Sequence, residues 1–176
     1  MTDTDALQRY ARSRDPEAFS CLVQRYQQMV YAACFRRLGQ ESDAQDMTQE
    51  IFLKLARSAG DIGQSGGSLA GWLHRCAATT SIDLVRREAR RRARGGAAAA
   101  PESDDVSSSG WNQVRQALDE ALSELPDAER DLVIQRYLVG RPQSELAEEA
   151  GVSASMMSRR VRAAVDTLRD RLNAKG

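Results

Sequence analysis

The chain has 176 residues, enough for one ordinary domain or two small ones, and its 41% of hydrophobic residues can supply a core, which argues against extended disorder. Aromatic residues make up 5% and prolines number four, while Ala, Leu, Arg, Glu and Gln fill long stretches, a composition typical of helices. The 25 basic and 25 acidic residues balance, so total charge predicts no affinity for nucleic acid. Their distribution is uneven, because acidic residues outnumber basic ones by eight to two between residues 96 and 130, whereas both flanking segments are mildly basic.

The start of the sequence lacks the basic and apolar segments of a signal peptide. The longest run of small apolar residues, the alanines at 97–100, is far short of a membrane span. Cys21, Cys34 and Cys76 form no CxxC pair, and each occurs in an apolar helical pattern, so reduced thiols are expected. We therefore expect a cytoplasmic protein with no membrane insertion.

Residues 1–94 contain three stretches with helical periodicity and are predicted to form one domain. The first begins at Asp15 and Pro16, which can cap and start a helix, and it ends at Gly39. The second begins at Ser42, whose spacing to the polar residue three positions later fits a capping box. Its apolar stripe lies opposite a polar side formed by Asp43, Asp46, Gln49, Glu50 and Lys54.

A Gly- and Ser-rich stretch from Ser58 to Ser68 is predicted to be a loop. Ser68 can cap the third helix, which continues into a run of arginines between Arg86 and Arg94. That run alone fits either a solvated helix end or a phosphate-binding surface. The same helix carries groups that can stack on nucleotides or hydrogen-bond to them, a mixture suited to an unpaired strand: Trp72, His74, Arg75, Thr79, Thr80 and Asp83.

Residues 95–110 are rich in Gly, Ala and Ser, with Val106 as the only larger apolar residue, and they predict a flexible linker. Residues 111–176 are predicted to form a second domain of four helices. The first two of these helices end at Pro126 and Gly140, and the last two span 142–150 and 154 to about 173. The predicted fold class is all-α, with two small helical domains joined by the linker.

The last two helices have the layout of a helix-turn-helix. Ala147 is small enough for close helix crossing, Gly151 suits the turn and Ser153 can cap the second helix. The inner face of that helix is then formed by Met157, Val161, Ala164 and Leu168. Five polar residues remain to face a DNA major groove, namely Ser155, Ser158, Arg159, Arg160 and Arg162. The alternative is an ordinary helical hairpin with a solvated basic face.

No pattern in the sequence indicates a metal site, a cofactor or a catalytic pair. The carboxylates of the second helix could form a solvated face, and no His on that helix completes a metal site. His74 and Cys76 point to different sides of a helix, and His74 is expected at the surface or its boundary. The segment from Gly63 to Ser68 lacks the Lys and the preceding strand of a phosphate-binding loop, so nucleotide hydrolysis has no support.

These motifs, in this order, resemble the extracytoplasmic-function (ECF) group of bacterial RNA polymerase sigma factors. Residues 43–55 are similar to the acidic DAxDxxQExF stretch of that group, and residues 72–77 and 83–87 are similar to the helix that follows it. Leu125-Pro126, Arg136-Tyr137 and the helix-turn-helix are similar to its second domain. The resemblance covers nearly the whole chain except the ends and the linker.

The resemblance implies a dissociable, non-enzymatic subunit that gives core RNA polymerase its promoter choice. Residues 1–94 would bind polymerase and the −10 element, 95–110 would be the linker, and 111–176 would read the −35 element. Polymerase docking would involve Asp43, Asp46, Gln49, Glu50, Phe52 and Leu53. Contacts to the −10 strand would come from Asp61, Trp72, Arg75, Thr79, Thr80, Asp83, Arg86, Arg87, Arg90 and Arg91. Contacts to the −35 duplex would come from Ser155, Ser158, Arg159, Arg160 and Arg162.

The partners implied are therefore core RNA polymerase and promoter DNA, and family membership is compatible with an anti-sigma protein as a further partner. Two other classes of protein stay open. A helix-turn-helix regulator outside polymerase would leave the acidic face of residues 43–55 unexplained. A helical adaptor that mimics a sigma factor would not need the exposed arginines of the last helix.

Overall fold

The computed structural model describes residues 1–64, 68–79, 114 and 117–174, and every regular element within these ranges is a helix. The N-terminal half consists of α1 (Asp3–Ser13), α2 (Pro16–Leu38), α3 (Glu41–Gln64) and α4 (69–79). The C-terminal half consists of α5 (117–124), α6 (Asp127–Val133), a π-helical turn (Ile134–Leu138), α7 (Gln143–Glu149) and α8 (Ala154–Asn173). The predicted linker and the predicted contacts Thr80, Asp83, Arg86, Arg87, Arg90 and Arg91 lie outside the described residues.

Helix α1 is absent from the helices predicted above, which begin at Asp15. Thr2 starts it through a capping box, since its hydroxyl accepts from the Asp5 amide at 3.1 Å and the Asp5 carboxylate accepts from the Thr2 amide at 3.3 Å. Ala6 and Leu7 are buried against the neighbouring helices. The first domain therefore has an additional helix.

Helix α2 begins and ends as predicted. The Asp15 side chain accepts from the Glu17 amide at 2.9 Å, and Gly39 closes the helix with a φ of 71°, which glycine adopts without strain. Helix α3 differs from the prediction, because it begins at Glu41 and not at a Ser42 capping box.

The loop predicted from Ser58 to Ser68 is wrong over residues 58–64, which belong to α3. Ala59 and Ile62 are buried and continue the apolar stripe that includes Ile51 and Leu55. A glycine in a helix costs about 1 kcal/mol relative to alanine, whereas burying an isoleucine contributes about 1.5–3 kcal/mol. Tertiary packing therefore outweighs the local preference for a loop.

Helix α4 starts as predicted, with the Ser68 hydroxyl accepting from the Gly71 amide at 3.1 Å. Its predicted inner residues Leu69, Leu73 and Ala77 are buried. They pack in one cluster with residues of α1, α2 and α3, and this cluster is the core of the N-terminal half.

The C-terminal half has two smaller apolar clusters. One joins α5, α6 and α8 through residues that include Leu122, Val133 and Leu168. The other lies between α7 and α8 and consists of Leu146, Ala147, Met157 and Val161, with Leu132 and Val152 packed beside it. The four residues predicted to face inward from the last helix are all buried.

The two halves of the molecule are in contact. Ile134, from the π-helical turn, is completely buried within the core cluster of the N-terminal half, and Leu138 and Val139 pack against the same cluster. A π-helical turn is rare and often occurs at functional positions. Here it lies where the C-terminal half meets the N-terminal half.

Candidate nucleic-acid and protein interfaces

Helix α8 presents the face that the sequence predicts for a DNA major groove. Ser153 caps it by accepting from the Met156 amide at 3.2 Å, and Gly151 makes the preceding turn with a φ of 63°. The polar residues Ser155, Arg159, Arg160 and Arg162 are exposed, and Ser158 is half-buried. A rigid helix thus holds three guanidinium groups toward solvent.

Helix α7 forms two ion pairs with the basic residue just before it. Arg141 pairs with Glu149 at 2.6 Å and with Glu145 at 3.6 Å, and its side chain is 13% exposed. Although partial burial opposes ionisation, the hydrogen bond from Arg141 to Glu149 raises the arginine pKa. Both partners belong to α7, so Arg141 lies against one side of the first helix of the helix-turn-helix.

Helix α3 carries the predicted acidic face. Asp46, Gln49 and Glu50 are exposed, and Asp43 is half-buried. Leu53 is 48% exposed, whereas Phe52 is only 7% exposed and belongs mainly to the core. The Phe52 side chain can therefore contribute only a small part of its surface to a protein contact.

An apolar groove of about 400 Å³ lies beside this acidic face. It is lined by residues of α2 and α3: Phe19, Val23, Gln27, Thr48, Gln49, Phe52, Leu53 and Ala56. An acidic rim beside an apolar groove suits a partner helix that has basic and apolar sides.

Helix α4 positions the described part of the predicted −10 contacts. Trp72 is half-buried and its ring lies 5.8 Å from Lys54 Nζ, within the range of a cation–π interaction. The Thr79 hydroxyl donates to the Arg75 carbonyl at 2.8 Å and keeps its oxygen free to accept. Asp61 is exposed near the end of α3.

The expectation that His74 lies at the surface is wrong. His74 is completely buried, and its Nε2 atom lies 3.3 Å from Asp119 Oδ1 in α5. Arg36 Nη2 donates to the same oxygen at 2.9 Å, and Arg37 Nε lies 3.9 Å from the other oxygen. Burial favours the neutral acid, but the hydrogen bonds from His74 and Arg36 hold the pKa of Asp119 below its usual value.

Two other carboxylates of the C-terminal half meet the beginning of α4. Arg75 Nη1 lies 3.4 Å from Asp127 Oδ1, and the Ser68 hydroxyl donates to Asp131. Burial raises the pKa of Asp131, and the hydrogen bond from Ser68 opposes this rise. Helix α4 thus faces carboxylates of α5 and α6 together.

A third polar contact joins α1, α2 and the π-helical turn. The Asp3 carboxylate accepts from Arg25, from the Tyr26 hydroxyl and, at 3.0 Å, from Gln135 Nε2. Gln135 Nε2 also lies 2.7 Å from the Tyr26 hydroxyl. Burial, together with the charge of Asp3, raises the pKa of Tyr26, which keeps the phenol protonated.

The residue patterns did not single out Asp119, Asp127 or Asp131. One signal was available, because the first two lie in the acidic segment 96–130 between two mildly basic segments. Opposite charges along one chain predict contact between its parts, without saying which residues meet.

Among the described residues, no group of three or more His, Cys, Asp or Glu is arranged to hold a metal ion. None of the helices in the same ranges is both long enough and apolar enough to cross a membrane.

Comparison with known proteins gives matches over most of the chain. The family models for Sigma-70 region 2 and Sigma-70 region 4 match residues 22–91 and 121–170. The ECF RNA polymerase sigma factor SigK of Mycobacterium sp. (strain KMS) is 30% identical over 175 residues, covering 96% of this chain and 90% of that protein. The ECF RNA polymerase sigma factor SigE of Mycolicibacterium smegmatis is 30% identical over 156 residues, covering 86% of this chain and 60% of that protein. A solved structure of CnrH in complex with the cytosolic domain of CnrY covers 99% of both chains at 21% identity, with a TM-score of 0.44.

Proposed function

Because this chain belongs to the extracytoplasmic-function (ECF) sigma factors of RNA polymerase, we propose how its surfaces are divided between polymerase and promoter. Membership makes it a non-enzymatic transcription initiation factor, with core RNA polymerase and promoter DNA as partners. Residues 1–94 form the polymerase-docking and −10 domain, 95–110 the linker, and 111–176 the −35 domain. Such a factor works where polymerase and DNA are, so we place it in the cytoplasm.

Polymerase docking is assigned to the acidic face of α3 and the apolar groove next to it. Asp46, Gln49 and Glu50 supply exposed polar groups, Asp43 a half-buried one, and Leu53 an exposed apolar group. Charged residues at a rim steer association and apolar residues supply most of the buried area. This combination favours a docking role for the surface over the alternative that it is merely a solvated helix face.

Contact with the −10 strand is assigned to α4 and the end of α3. Trp72 offers an aromatic surface for stacking, Arg75 a guanidinium for phosphate and Thr79 a hydroxyl, with Asp61 nearby in sequence. Arg86, Arg87, Arg90 and Arg91, which lie outside the described residues, are assigned to the same strand. Aromatic and basic groups together suit an unpaired strand. Binding of an extruded base on the non-template strand requires both kinds of group.

Reading of the −35 duplex is assigned to α8. The observation that carries this assignment is that Arg159, Arg160 and Arg162 are exposed while the opposite face of the same helix is buried. A rigid helix with a free basic face fits the DNA major groove, where arginine can bind guanine with two hydrogen bonds. An anti-sigma protein as a further partner stays a prediction from the family.

The decisive experiment is transcription in vitro with purified core polymerase. Genomic DNA fragments are transcribed by core enzyme alone and by core enzyme with this chain, and the RNA 5′ ends are mapped. We expect defined start sites only when the chain is present. A regulator outside polymerase would bind duplex DNA without creating start sites, and a sigma-mimicking adaptor would bind protein without DNA. Either result would refute the proposed function.

A further inference from the structure

Met156 is a large apolar side chain in the first turn of α8, between residues that the proposed function assigns to the −35 duplex. It is 38% exposed and belongs to none of the three apolar clusters formed by the described residues. The next residue, Met157, is 1% exposed and packs in the cluster between α7 and α8. The core of the helix-turn-helix therefore uses one of these two methionines and leaves the other at the surface.

Single apolar side chains are common on protein surfaces, so the position of Met156 carries the argument. A recognition helix contacts base edges in the major groove with residues near its N-terminus. In the first turn of α8 the exposed residues are Ala154, Ser155 and Met156, and Met156 has the longest side chain of the three. The Ser155 hydroxyl lies 3.1 Å from the Ser153 hydroxyl, beside the cap of the helix. Met156 is thus the side chain of this turn that reaches furthest toward a base.

The Met156 side chain lies against a guanidinium group of the predicted DNA-binding face. Arg159 Nη2 lies 3.8 Å from Met156 Sδ and can donate a weak hydrogen bond to it. At about 100° per residue, the two residues are about 60° apart around the helix axis and one turn apart along it. Met156 and Arg159 therefore contact the same part of the groove when α8 binds DNA.

The chemistry of a thioether limits what Met156 can read in that groove. Its sulfur is a weak acceptor and the side chain has no donor, so it is poorly suited to the hydrogen-bonding groups of the bases. The C5-methyl group of thymine is the apolar group that distinguishes base pairs in the major groove. A methionine side chain is flexible and polarisable, so it can adapt its shape to such a group. The expected contact of Met156 is therefore a thymine methyl group.

We propose that Met156 is a specificity-determining residue, which packs against the methyl group of a thymine in the −35 element beside the position of Arg159. The inference deepens the proposed function and rests on the assignment of α8 to the −35 duplex. Because the contact involves no charge, Met156 adds a preference for one base pair and leaves the salt dependence of binding unchanged.

The test uses uracil, which lacks the C5-methyl group of thymine and presents the same hydrogen-bonding groups. Holoenzyme assembled from core polymerase and the full-length chain selects −35 sequences from a duplex library, made once with thymine and once with uracil in the randomised segment. At one base pair the preference for thymine should be about fourfold stronger than the preference for uracil, the factor expected for burying one methyl group. The other base preferences should be the same in both libraries.

Three variants assign this difference to the Met156 side chain. Met156→Ala should abolish the difference between the two libraries and keep the salt dependence. Met156→Leu keeps an apolar side chain of similar volume and should retain the difference. Phe35→Ala is the matched control, because Phe35 is also 38% exposed but lies on α2, and it should behave like the natural chain. Circular dichroism checks that each variant keeps its helix content.

The possible negative results have different meanings. If holoenzyme selects −35 sequences but treats thymine and uracil alike, Met156 does not read a methyl group, and the assignment of α8 to the −35 duplex stands. The same conclusion follows if folded Met156→Ala keeps the difference between the libraries. If holoenzyme selects no −35 sequence from either library, the assignment of α8 fails, and the inference fails with it. The comparison of the two libraries uses the natural chain, so it does not depend on the folding of any variant.

Discussion

The two helices assigned to promoter DNA, α4 and α8, differ in what surrounds them. The arginines of α8 project into solvent, and among the described residues neither Arg160 nor Arg162 forms an ion pair. On α4, by contrast, His74 is buried against Asp119, and Arg75 is paired with Asp127. Basic or polar character therefore does not tell which surface is available, because availability depends on the charges that the rest of the chain places opposite it.

The largest effect is expected for a variant that removes polymerase docking, on which the promoter contacts of both helices depend. Asp46→Arg combined with Glu50→Arg should abolish holoenzyme formation. Specific transcription should then be lost as well, because neither α4 nor α8 can direct it without polymerase. Both side chains are exposed, and exposed charges contribute only about 0–1 kcal/mol to folding, so the melting temperature should change little. Size-exclusion chromatography with core polymerase measures the complex directly.

A matched control for that variant is Glu148→Arg combined with Asp170→Arg, which makes the same charge change at exposed positions of α7 and α8. This control should co-elute with core polymerase. Undiminished co-elution of the folded Asp46 and Glu50 variant would show that the acidic face of α3 is not the docking surface.

The next effect concerns α8, whose arginines are already free. Each of Arg159→Ala, Arg160→Ala and Arg162→Ala is assembled into holoenzyme and titrated against a library of −35 sequences at several salt concentrations. Loss of a base contact should cost about 1–3 kcal/mol and relax one base pair, whereas loss of a phosphate contact should weaken all sequences and lower the salt slope by about one. We expect at least one variant of each kind.

The control in this series is Arg169→Ala, which removes an exposed arginine of the same helix whose partner is Asp166. If the three substitutions behave like this control in affinity, preference and salt slope, α8 does not read the −35 duplex. The comparison between the exposed arginines of α8 and the paired Arg75 of α4 would then no longer be one between two DNA-binding surfaces.

A smaller effect is expected for Arg75→Ala on α4. In holoenzyme, promoter opening measured by permanganate reactivity of thymines should fall roughly tenfold, equivalent to about 1.4 kcal/mol. Arg75 is 42% exposed and its pair with Asp127 is solvated, so the melting temperature should hardly change. Arg12→Ala removes an exposed arginine from α1 and is the matched control. Opening equal to that of the control would remove Arg75 from the −10 surface.

The smallest expected effect is a pH dependence at Asp131. Burial raises its pKa, so the folded chain holds a proton at pH values where the unfolded chain has lost it. The stabilisation this gives is complete below the unfolded-state pKa and is lost as pH rises through the folded-state pKa. When Asp131 is ionised, its carboxylate is repelled by the negative charges of Asp3 and Glu149, and Arg141 partly offsets this repulsion.

Asp131→Asn keeps a group that can accept from Ser68 and carries no charge. Its melting temperature should exceed that of the natural chain at pH values above the folded-state pKa of Asp131, and the difference should shrink as pH falls toward the unfolded-state pKa of about 4. Asp119, whose pKa is lowered, is present in both proteins, so its contribution to the pH dependence cancels when the two melting temperatures are subtracted. A difference that grows on acidification would contradict the assignment.

Local signals were sufficient to predict α8 and its exposed face. Ser153, Gly151 and the apolar spacing that leads to Leu168 all agree, and each acts within a few residues along the chain. The same holds for Asp15 at the start of α2 and Ser68 at the start of α4. Where neighbouring residues determine the backbone conformation, the sequence is enough to predict the helix.

The parts that could not be predicted depend on contacts between distant residues. His74 is buried because Asp119 and Arg36 meet it from two other helices, which no pattern within α4 reveals. Residues 58–64 are helical because Ile62 packs in the core, and this packing outweighs the local preference of their glycines for a loop. Helix α1 has few apolar residues, and its Asp3 is stabilised by groups as remote as Gln135.

The bond between Asp3 and Gln135 joins residues 132 positions apart in a single chain, so closing of the two halves is a unimolecular event. The ratio of closed to open molecules is then independent of how much of the protein a cell contains. Raising its synthesis adds open and closed molecules in the same proportion and cannot by itself separate the halves. Only a ligand that prefers separated halves can change that ratio, so the contact between the halves responds to ligand occupancy and not to the amount of protein.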